Sequence, residues 1–185
     1  MNRCPRCRGS TRLVLERSLE REPWTEPRPA GIHLEALLDN VRSAWNVGSI
    51  FRSADGAGIA RLHLCGITPT PQTAALGKTA LGAEQSLPWV NSRDGCAAAQ
   101  SLREQGMCLW ALEHDPRARP IQECKTTPAD RPVVLVVGNE VCGVDPEILD
   151  LCERVWFIPM QGAKRSFNVA VAFGIAAYTL RSSAG

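Results

Sequence analysis

Short apolar runs alternate with segments of helical period along most of this chain. Residues 132–137 form a continuous, mostly β-branched run, which is typical of a central parallel strand covered on both faces. Further short strands are predicted at residues 32–41, 59–65, 89–90, 107–112 and 155–158. Helices are predicted over residues 47–57, 73–87, 96–105, 148–152 and 169–180. This alternation predicts an α/β fold, with a mainly parallel sheet that has helices on both faces.

Glycine-bearing loops follow two of the predicted strands, at residues 138–143 and 160–165. In an open parallel sheet the ligand site lies at the carboxyl ends of the strands. Ser166 and Asn168 follow the second loop, where the last helix begins, and small polar residues there can cap a helix or hold a ligand. We therefore expect both loops to border the functional site.

The predicted first helix has a clear inner and outer side. Its apolar residues fall within one arc of about 120°, the width of a core-facing stripe: Val47, Ile50, Phe51, Ala54 and Ala57. Arg52 lies almost opposite that stripe, so it can face solvent, a ligand or another subunit. The glycines that follow, Gly56 and Gly58, end this helix and precede a strand, which is the reverse of a dinucleotide-binding fingerprint. A nucleotide-binding regulatory domain is therefore disfavoured.

The last predicted helix, residues 169–180, is apolar on nearly every side. Such a helix must be buried all round, and a domain of this size has little with which to cover it. A homodimer interface is the economical explanation.

Length and composition favour one domain with a small appendage. The chain has 185 residues, 44% of them hydrophobic and 22% charged, which is typical of a globular protein. We divide it into an arm, residues 1–31, and a domain, residues 32–185. The arm contains seven Arg and four Glu, while the rest has 14 basic and 15 acidic residues. No apolar run reaches the roughly 20 residues that span a bilayer, so we expect a cytoplasmic protein without a membrane partner.

Cys4 and Cys7 in the arm have the spacing of half a zinc site. No second pair of matching spacing follows, so a zinc ion would need a second chain or a distant thiol such as Cys124. The alternative is a disordered basic arm with two free thiols.

Three segments together resemble one protein family. Asn46-Val47-Gly48-Ser49-Ile50-Phe51-Arg52 matches a first motif, and Gly138-Asn139-Glu140-Val141-Cys142-Gly143 matches a second. Ile158-Pro159-Met160, with Ser166-Phe167-Asn168-Val169 after it, matches a third. These motifs, in this order, resemble the SpoU family of RNA ribose 2′-O-methyltransferases, which belongs to the SPOUT class.

The resemblance implies features that the residue patterns alone do not. Members of this family tie the C-terminal part of the domain into a trefoil knot. They bind S-adenosylmethionine in a bent form through the loops of the second and third motifs, and they act as homodimers. The resemblance therefore implies an S-adenosylmethionine-dependent enzyme that methylates tRNA or rRNA.

The resemblance also assigns candidate site residues. The catalytic candidates are Arg52, Asn46, Ser166, Glu140 and Asn168. The candidate cofactor contacts are Gly138, Asn139, Glu140, Gly143, Ile158, Met160, Ser166 and Phe167. Arg42, Lys164 and Arg165 are candidate contacts to RNA phosphates, which position RNA without reading its sequence.

Structural roles are the alternative for several of these residues. Asn46 and Asn168 can be helix caps, Glu140 a loop acceptor and Ser166 a turn residue. Arg52 is a poor base because a guanidinium holds its proton tightly, so an electrostatic role, or proton removal assisted by an RNA phosphate, is favoured. A catalytically silent RNA-binding or assembly protein with the same fold is the competing hypothesis for the whole chain.

Overall fold

The computed structural model describes residues 7–12, 32–125 and 131–182. Cys7 is exposed, while Cys4 lies outside the described residues. The predicted zinc pair and the boundary at residue 31 therefore stay predictions.

A parallel sheet forms the centre of the domain. Its seven strands in the described ranges are β1 (Leu34–Asp39), β2 (Leu62–Cys65), β3 (Trp89–Ser92), β4 (Cys108–Leu112), β5 (Arg119–Pro120), β6 (Val133–Val137) and β7 (Arg154–Phe157). They lie side by side in the order β3-β2-β1-β6-β4-β7-β5, and every pair is parallel. The predicted α/β class is confirmed. The β-branched strand β6 is central, and all five of its residues are buried.

Helices cover both faces of the sheet. They are α1 (Ala44–Ala57), α2 (Ala74–Ala80), α3 (Ala83–Ser86), α4 (Gly95–Glu104), α5 (Pro146–Leu151) and α6 (Val169–Ser182). One buried cluster joins α1, α2 and α6 to the face that carries Leu34, Ala36 and Leu38. A second joins α4 and α5 to the face that carries Leu37 and Val136. Alternate residues of β1, β4 and β6 thus enter different cores, as the pleat requires.

The ends of α1 follow from its sequence. Ser43 is the N-cap, and its side chain accepts a hydrogen bond from the N–H of Asn46. Gly58 ends the helix with φ 68°, in the left-handed region where glycine is favoured. The predicted apolar stripe is buried except for Ala57, which is half-buried, and Arg52 is exposed as predicted.

One prediction of local structure was wrong. Residues 73–87 do not form one helix, because Leu81 and Gly82 both have positive φ and separate α2 from α3.

The last helix is covered on one side within the single chain, so the dimer interface predicted for its other side stays a prediction. Phe173, Ala176 and Leu180 are buried, but Val171 and Tyr178 are 50% and 70% exposed. No helix of the described residues is long and apolar enough to cross a membrane.

Candidate active site

A cavity of about 330 Å³ opens at the carboxyl ends of three adjacent strands, β6, β4 and β7. Its walls come from the segments that follow each strand and from the first residues of α6: Leu112, Glu113, His114, Val137, Gly138, Asn139, Glu140, Val141, Gly143, Phe157, Ile158, Met160, Ser166, Phe167, Asn168, Val169 and Ala172. The two glycine-bearing loops therefore meet, at the place that a parallel sheet predicts.

The loop after β6 is closed by its own backbone. Asn139 and Gly143 each donate an N–H to the other's carbonyl oxygen at 2.9 Å. The side-chain oxygen of Asn139 accepts from the N–H groups of Val141 and Cys142. Gly138 must be glycine because a Cβ there would lie 2.1 Å from the carbonyl carbon of Gly143. The loop is therefore fixed independently of any ligand.

Glu140 fastens this loop to the start of α1. Its carboxylate accepts from the N–H groups of Arg42 and Ser43 at 2.9 and 3.2 Å, and from the side-chain amide of Asn46 at 2.9 Å. Burial by itself would raise the pKa of Glu140, but these hydrogen bonds outweigh it and hold the pKa below its ordinary value. The site therefore contains an ionised carboxylate that bridges two motifs.

Asn46 connects the first motif to the third. Its side-chain oxygen accepts from the side-chain amide of Asn168 at 3.0 Å. Asn168 in turn accepts from the N–H of Ala170 at 2.9 Å and so caps α6. The cap of α1 is Ser43, so the alternative of Asn46 as a mere helix cap was wrong, whereas Asn168 both caps a helix and joins the network. Glu140, Asn46 and Asn168 thus form one hydrogen-bonded chain along the cavity.

The segment after β4 was missed by the sequence analysis. Glu113 accepts from the N–H of Val144 at 3.0 Å and so holds the end of the loop after β6. The ring of His114 lies 6.0 Å from that of Phe157, and both line the cavity. Both polar residues directly follow the predicted strand 107–112, at the same sheet edge as the two glycine-bearing loops. That placement was the available signal.

The structure brings most of the predicted site residues together. All eight candidate cofactor contacts line the cavity: Gly138, Asn139, Glu140, Gly143, Ile158, Met160, Ser166 and Phe167. Lys164 and Arg165 are exposed on the loop between Met160 and Ser166, and Arg42 is exposed beside the Glu140 carboxylate. Arg52 stands apart, because it is exposed on α1 and does not line the cavity of its own chain.

Residues 33–178 match the model of the SpoU rRNA Methylase family. A 23S rRNA (guanosine-2′-O-)-methyltransferase, RlmB of Vibrio vulnificus, is 33% identical over 140 residues, which are 75% of this chain and 55% of that protein. A tRNA (guanosine(18)-2′-O)-methyltransferase of Aquifex aeolicus is 32% identical over 173 residues, covering 90% of this chain and 76% of that one. Against several curated relatives, this chain thus spans little more than half of their length.

Solved structures of methyltransferases are similar to this chain as well. An AdoMet-bound rRNA methyltransferase from Sinorhizobium meliloti superposes with a TM-score of 0.75 at 27% identity, covering 81% of this chain and 56% of that one. The A. aeolicus TrmH/SpoU tRNA modifying enzyme superposes with a TM-score of 0.72 at 26% identity, covering 82% and 75%. The chain therefore belongs to the SpoU rRNA Methylase family.

Proposed function

We propose that this protein is an S-adenosylmethionine-dependent RNA 2′-O-ribose methyltransferase that acts on tRNA or rRNA. The observation that carries the proposal is the cavity at the ends of β4, β6 and β7, where the second and third motifs meet and the first is hydrogen-bonded to both. Relatives that align over most of this chain are named as tRNA and rRNA guanosine 2′-O-methyltransferases. The trefoil knot that the resemblance implies and a cytoplasmic location are parts of the same proposal.

The cavity suits the proposed cofactor. Its volume falls within the range of small-molecule sites, and apolar side chains such as Leu112, Ile158 and Met160 alternate with a few polar groups, as is usual for such sites. Gly138, Asn139 and Gly143 on one side, and Met160, Ser166 and Phe167 on the other, would hold it. When bound, the cofactor supplies a methyl group already activated on a sulfonium sulfur.

Because the methyl group is already activated, the protein's main task is to align the ribose 2′-oxygen and to assist the loss of its proton. We assign alignment to the hydrogen-bonded network of Glu140, Asn46 and Asn168 beside the cavity. Arg52 acts by its fixed positive charge, alone or with an RNA phosphate, since a guanidinium is a poor proton acceptor at neutral pH. Ser166 lies at the cavity rim and helps to position the ribose.

A homodimer is part of the proposal. The support is the apolar outer face of α6, where Val171 and Tyr178 are exposed in the single chain. Helix α1, which carries Arg52, packs against α6, so a partner seated on α6 would lie close to Arg52. In such a dimer, Arg52 would reach the cavity of the partner chain, whereas it does not line the cavity of its own chain.

RNA contacts are assigned to exposed cations around the cavity. Arg42 lies beside Glu140, and Lys164 and Arg165 lie on the loop after β7. Their positive charges would bind phosphates and place the RNA without selecting its sequence.

A zinc ion at Cys4 and Cys7 is a separate proposal. Among the described residues, no group of three or more His, Cys, Asp or Glu side chains could hold a metal ion. A complete site would thus require a second chain or residues outside the described ranges. Elemental analysis of purified protein tests this directly, and a lack of stoichiometric zinc would refute it.

Two measurements test the enzymatic proposal. Calorimetry should detect binding of S-adenosylmethionine, and radiolabelled methyl should pass from it to total tRNA or rRNA prepared from cells lacking the gene. Nuclease digestion should then recover the label on a ribose 2′-oxygen. Cofactor binding without transfer to any of these RNAs, or label found on a base, would contradict the proposal. Binding of RNA without cofactor binding would support the silent assembly protein instead.

A further inference from the structure

Trp45 is a large aromatic side chain left exposed beside the polar network of the site. It is the second residue of α1 and is 54% exposed. The residue that follows it is Asn46, whose side chain is bonded to Glu140 and Asn168. Consecutive Cα atoms are about 3.8 Å apart, so Trp45 stands one residue from a network whose other two members line the cavity.

The backbone beneath this indole is firmly held. The carbonyl oxygen of Trp45 accepts from the hydroxyls of Ser49, at 2.9 Å, and Thr79, at 3.0 Å. Thr79 lies on α2, which packs closely on α1 at Gly48. A Cβ at Gly48 would come within 2.3 Å of the Leu76 carbonyl oxygen. The indole therefore projects from a rigid junction of two helices rather than from a mobile loop.

A cation accompanies the ring. The ammonium nitrogen of Lys78, an exposed residue of α2, lies 6.0 Å from the centre of the Trp45 ring. An aromatic surface next to a positive charge is what single-stranded nucleic acids bind, because a base stacks on the ring while the cation attracts the backbone phosphate. The two side chains come from different helices, and the Thr79 contact keeps those helices in register.

We propose that Trp45 and Lys78 form a platform on which an unpaired RNA base stacks, the base of a nucleotide next to the one whose ribose enters the cavity. That the ligand is RNA rests on the proposed function. A second copy of this chain is the competing occupant. Lysine is depleted from the cores of protein interfaces, and α6 offers a more apolar face for a partner, so the combination of Trp45 and Lys78 favours RNA.

A matched pair of substitutions tests the platform. Trp45→Leu keeps an apolar side chain but removes the aromatic face, whereas Trp45→Phe keeps a smaller face. The probe is a fluorescein-labelled, mixed-sequence single-stranded RNA of about 12 nucleotides, within the footprint of single-strand binders, followed by fluorescence anisotropy. Trp45→Leu should weaken binding about tenfold or more, and Trp45→Phe by less than about threefold.

Lys78 gives an independent readout. Lys78→Gln removes the charge next to the ring, so it should weaken binding and lower the slope of log affinity against log salt by about 1. Trp45→Leu should weaken binding with little change in that slope, because stacking releases no counterions. Loss of affinity without this difference in salt dependence would overturn the division of roles.

Three control measurements separate this inference from the proposed function. Thermal unfolding and S-adenosylmethionine calorimetry should give wild-type values for Trp45→Leu, because the side chain is exposed and does not line the cavity. Equal affinity of wild type and Trp45→Leu for the oligonucleotide, or a shift of Trp45→Leu from dimer to monomer in sedimentation, would overturn the platform. If the wild type binds the oligonucleotide through Trp45 yet methylates no RNA, the platform stands and the proposed function fails.

Discussion

The loop after β6 and the loop after β7 border the same cavity but are held very differently. Residues 138–144 are closed by the paired backbone hydrogen bonds of Asn139 and Gly143. Glu140 also bonds this loop to Arg42 and Asn46, at the start of α1. The side-chain amide of Asn139 also donates to the Asn40 carbonyl oxygen at 2.8 Å. This loop is thus linked to the end of β1 and to the start of α1.

The loop after β7 makes almost no such hydrogen bonds. Residues 161–168 are all exposed, and the hydrogen bonds among the described residues do not involve 161–167. They resume at Asn168, which caps α6. A segment with few hydrogen bonds and little buried surface opens locally with a small change in free energy. One wall of the cavity is therefore built in advance, which lowers the entropy lost on binding, and the other is free to adjust to a ligand.

Replacing a glycine in each loop should give the largest difference between the two loops in the free energy of unfolding. In Gly138→Ala the new Cβ would lie about 2.1 to 2.2 Å from backbone atoms of Gly143 and Val144. Because no side chain can move aside, we expect a loss of about 3 kcal/mol or more in the free energy of unfolding. Binding of S-adenosylmethionine should be lost as well. Urea unfolding and calorimetry measure both effects.

Gly162→Ala in the other loop is the matched control. A Cβ there would meet nothing within 4 Å, so the free energy of unfolding should change by less than about 0.5 kcal/mol. Equal destabilisation by the two substitutions would mean that the contrast between the loops is wrong.

Arg52→Ala tests whether chemistry depends on a residue outside both loops. We expect kcat for RNA methylation to fall about 10²- to 10³-fold, the usual cost of removing a group that stabilises developing charge. The exposed position of Arg52 on α1 predicts unchanged stability and cofactor affinity. Arg52→Lys should recover only part of the activity, because a lysine keeps the charge but not the planar fork. Full activity of Arg52→Ala would remove Arg52 from the mechanism.

Much of the fold could be predicted from sequence because it follows from local periodicity. The β-branched run 132–137 identified the central strand, and the stripe from Val47 to Ala54 oriented α1 and so left Arg52 outside. The break between α2 and α3 was missed because Leu81 adopts φ 53°. A leucine in a sequence gives no indication of such a left-handed conformation. Tertiary packing of α2 on α1 overrides the local helical pattern there.

The candidate site was predicted in its parts but not in its connections. Strand ends located the two glycine-bearing loops, and the motifs supplied eight candidate cofactor contacts, all of which line the cavity. The three donors to Glu140 include two backbone N–H groups, which carry no residue signature and become visible only when the chain is folded. The bond of Glu113 to the N–H of Val144 is of the same kind, although the position of Glu113 after a predicted strand was a signal in the sequence.

Replacing Glu140 tests the hydrogen bonds between the loop after β6 and the start of α1. The expected loss in the free energy of unfolding is smaller than for Gly138→Ala. Glu140→Gln keeps the shape but exchanges one acceptor oxygen for a donor, which would face N–H groups. We expect a loss of about 1 to 2 kcal/mol in the free energy of unfolding, together with weaker cofactor binding. Glu104→Gln, at an exposed carboxylate on α4, should change neither. An effect no larger than that of Glu104→Gln would show that the tie is dispensable.

The dependence of that loss on pH gives the finest test. Hydrogen bonds hold the pKa of Glu140 below its ordinary value of 4.5, so its ionised form stabilises the folded state. That contribution is fully present above the unfolded pKa and disappears as the pH falls through the lower folded pKa. The difference in unfolding free energy between wild type and Glu140→Gln should therefore be constant near neutral pH and shrink as the pH falls below the ordinary value of 4.5. Glu35, whose pKa is also lowered, is present in both proteins and cancels in this difference. A difference that grows on acidification would contradict the ionised carboxylate at the centre of the network.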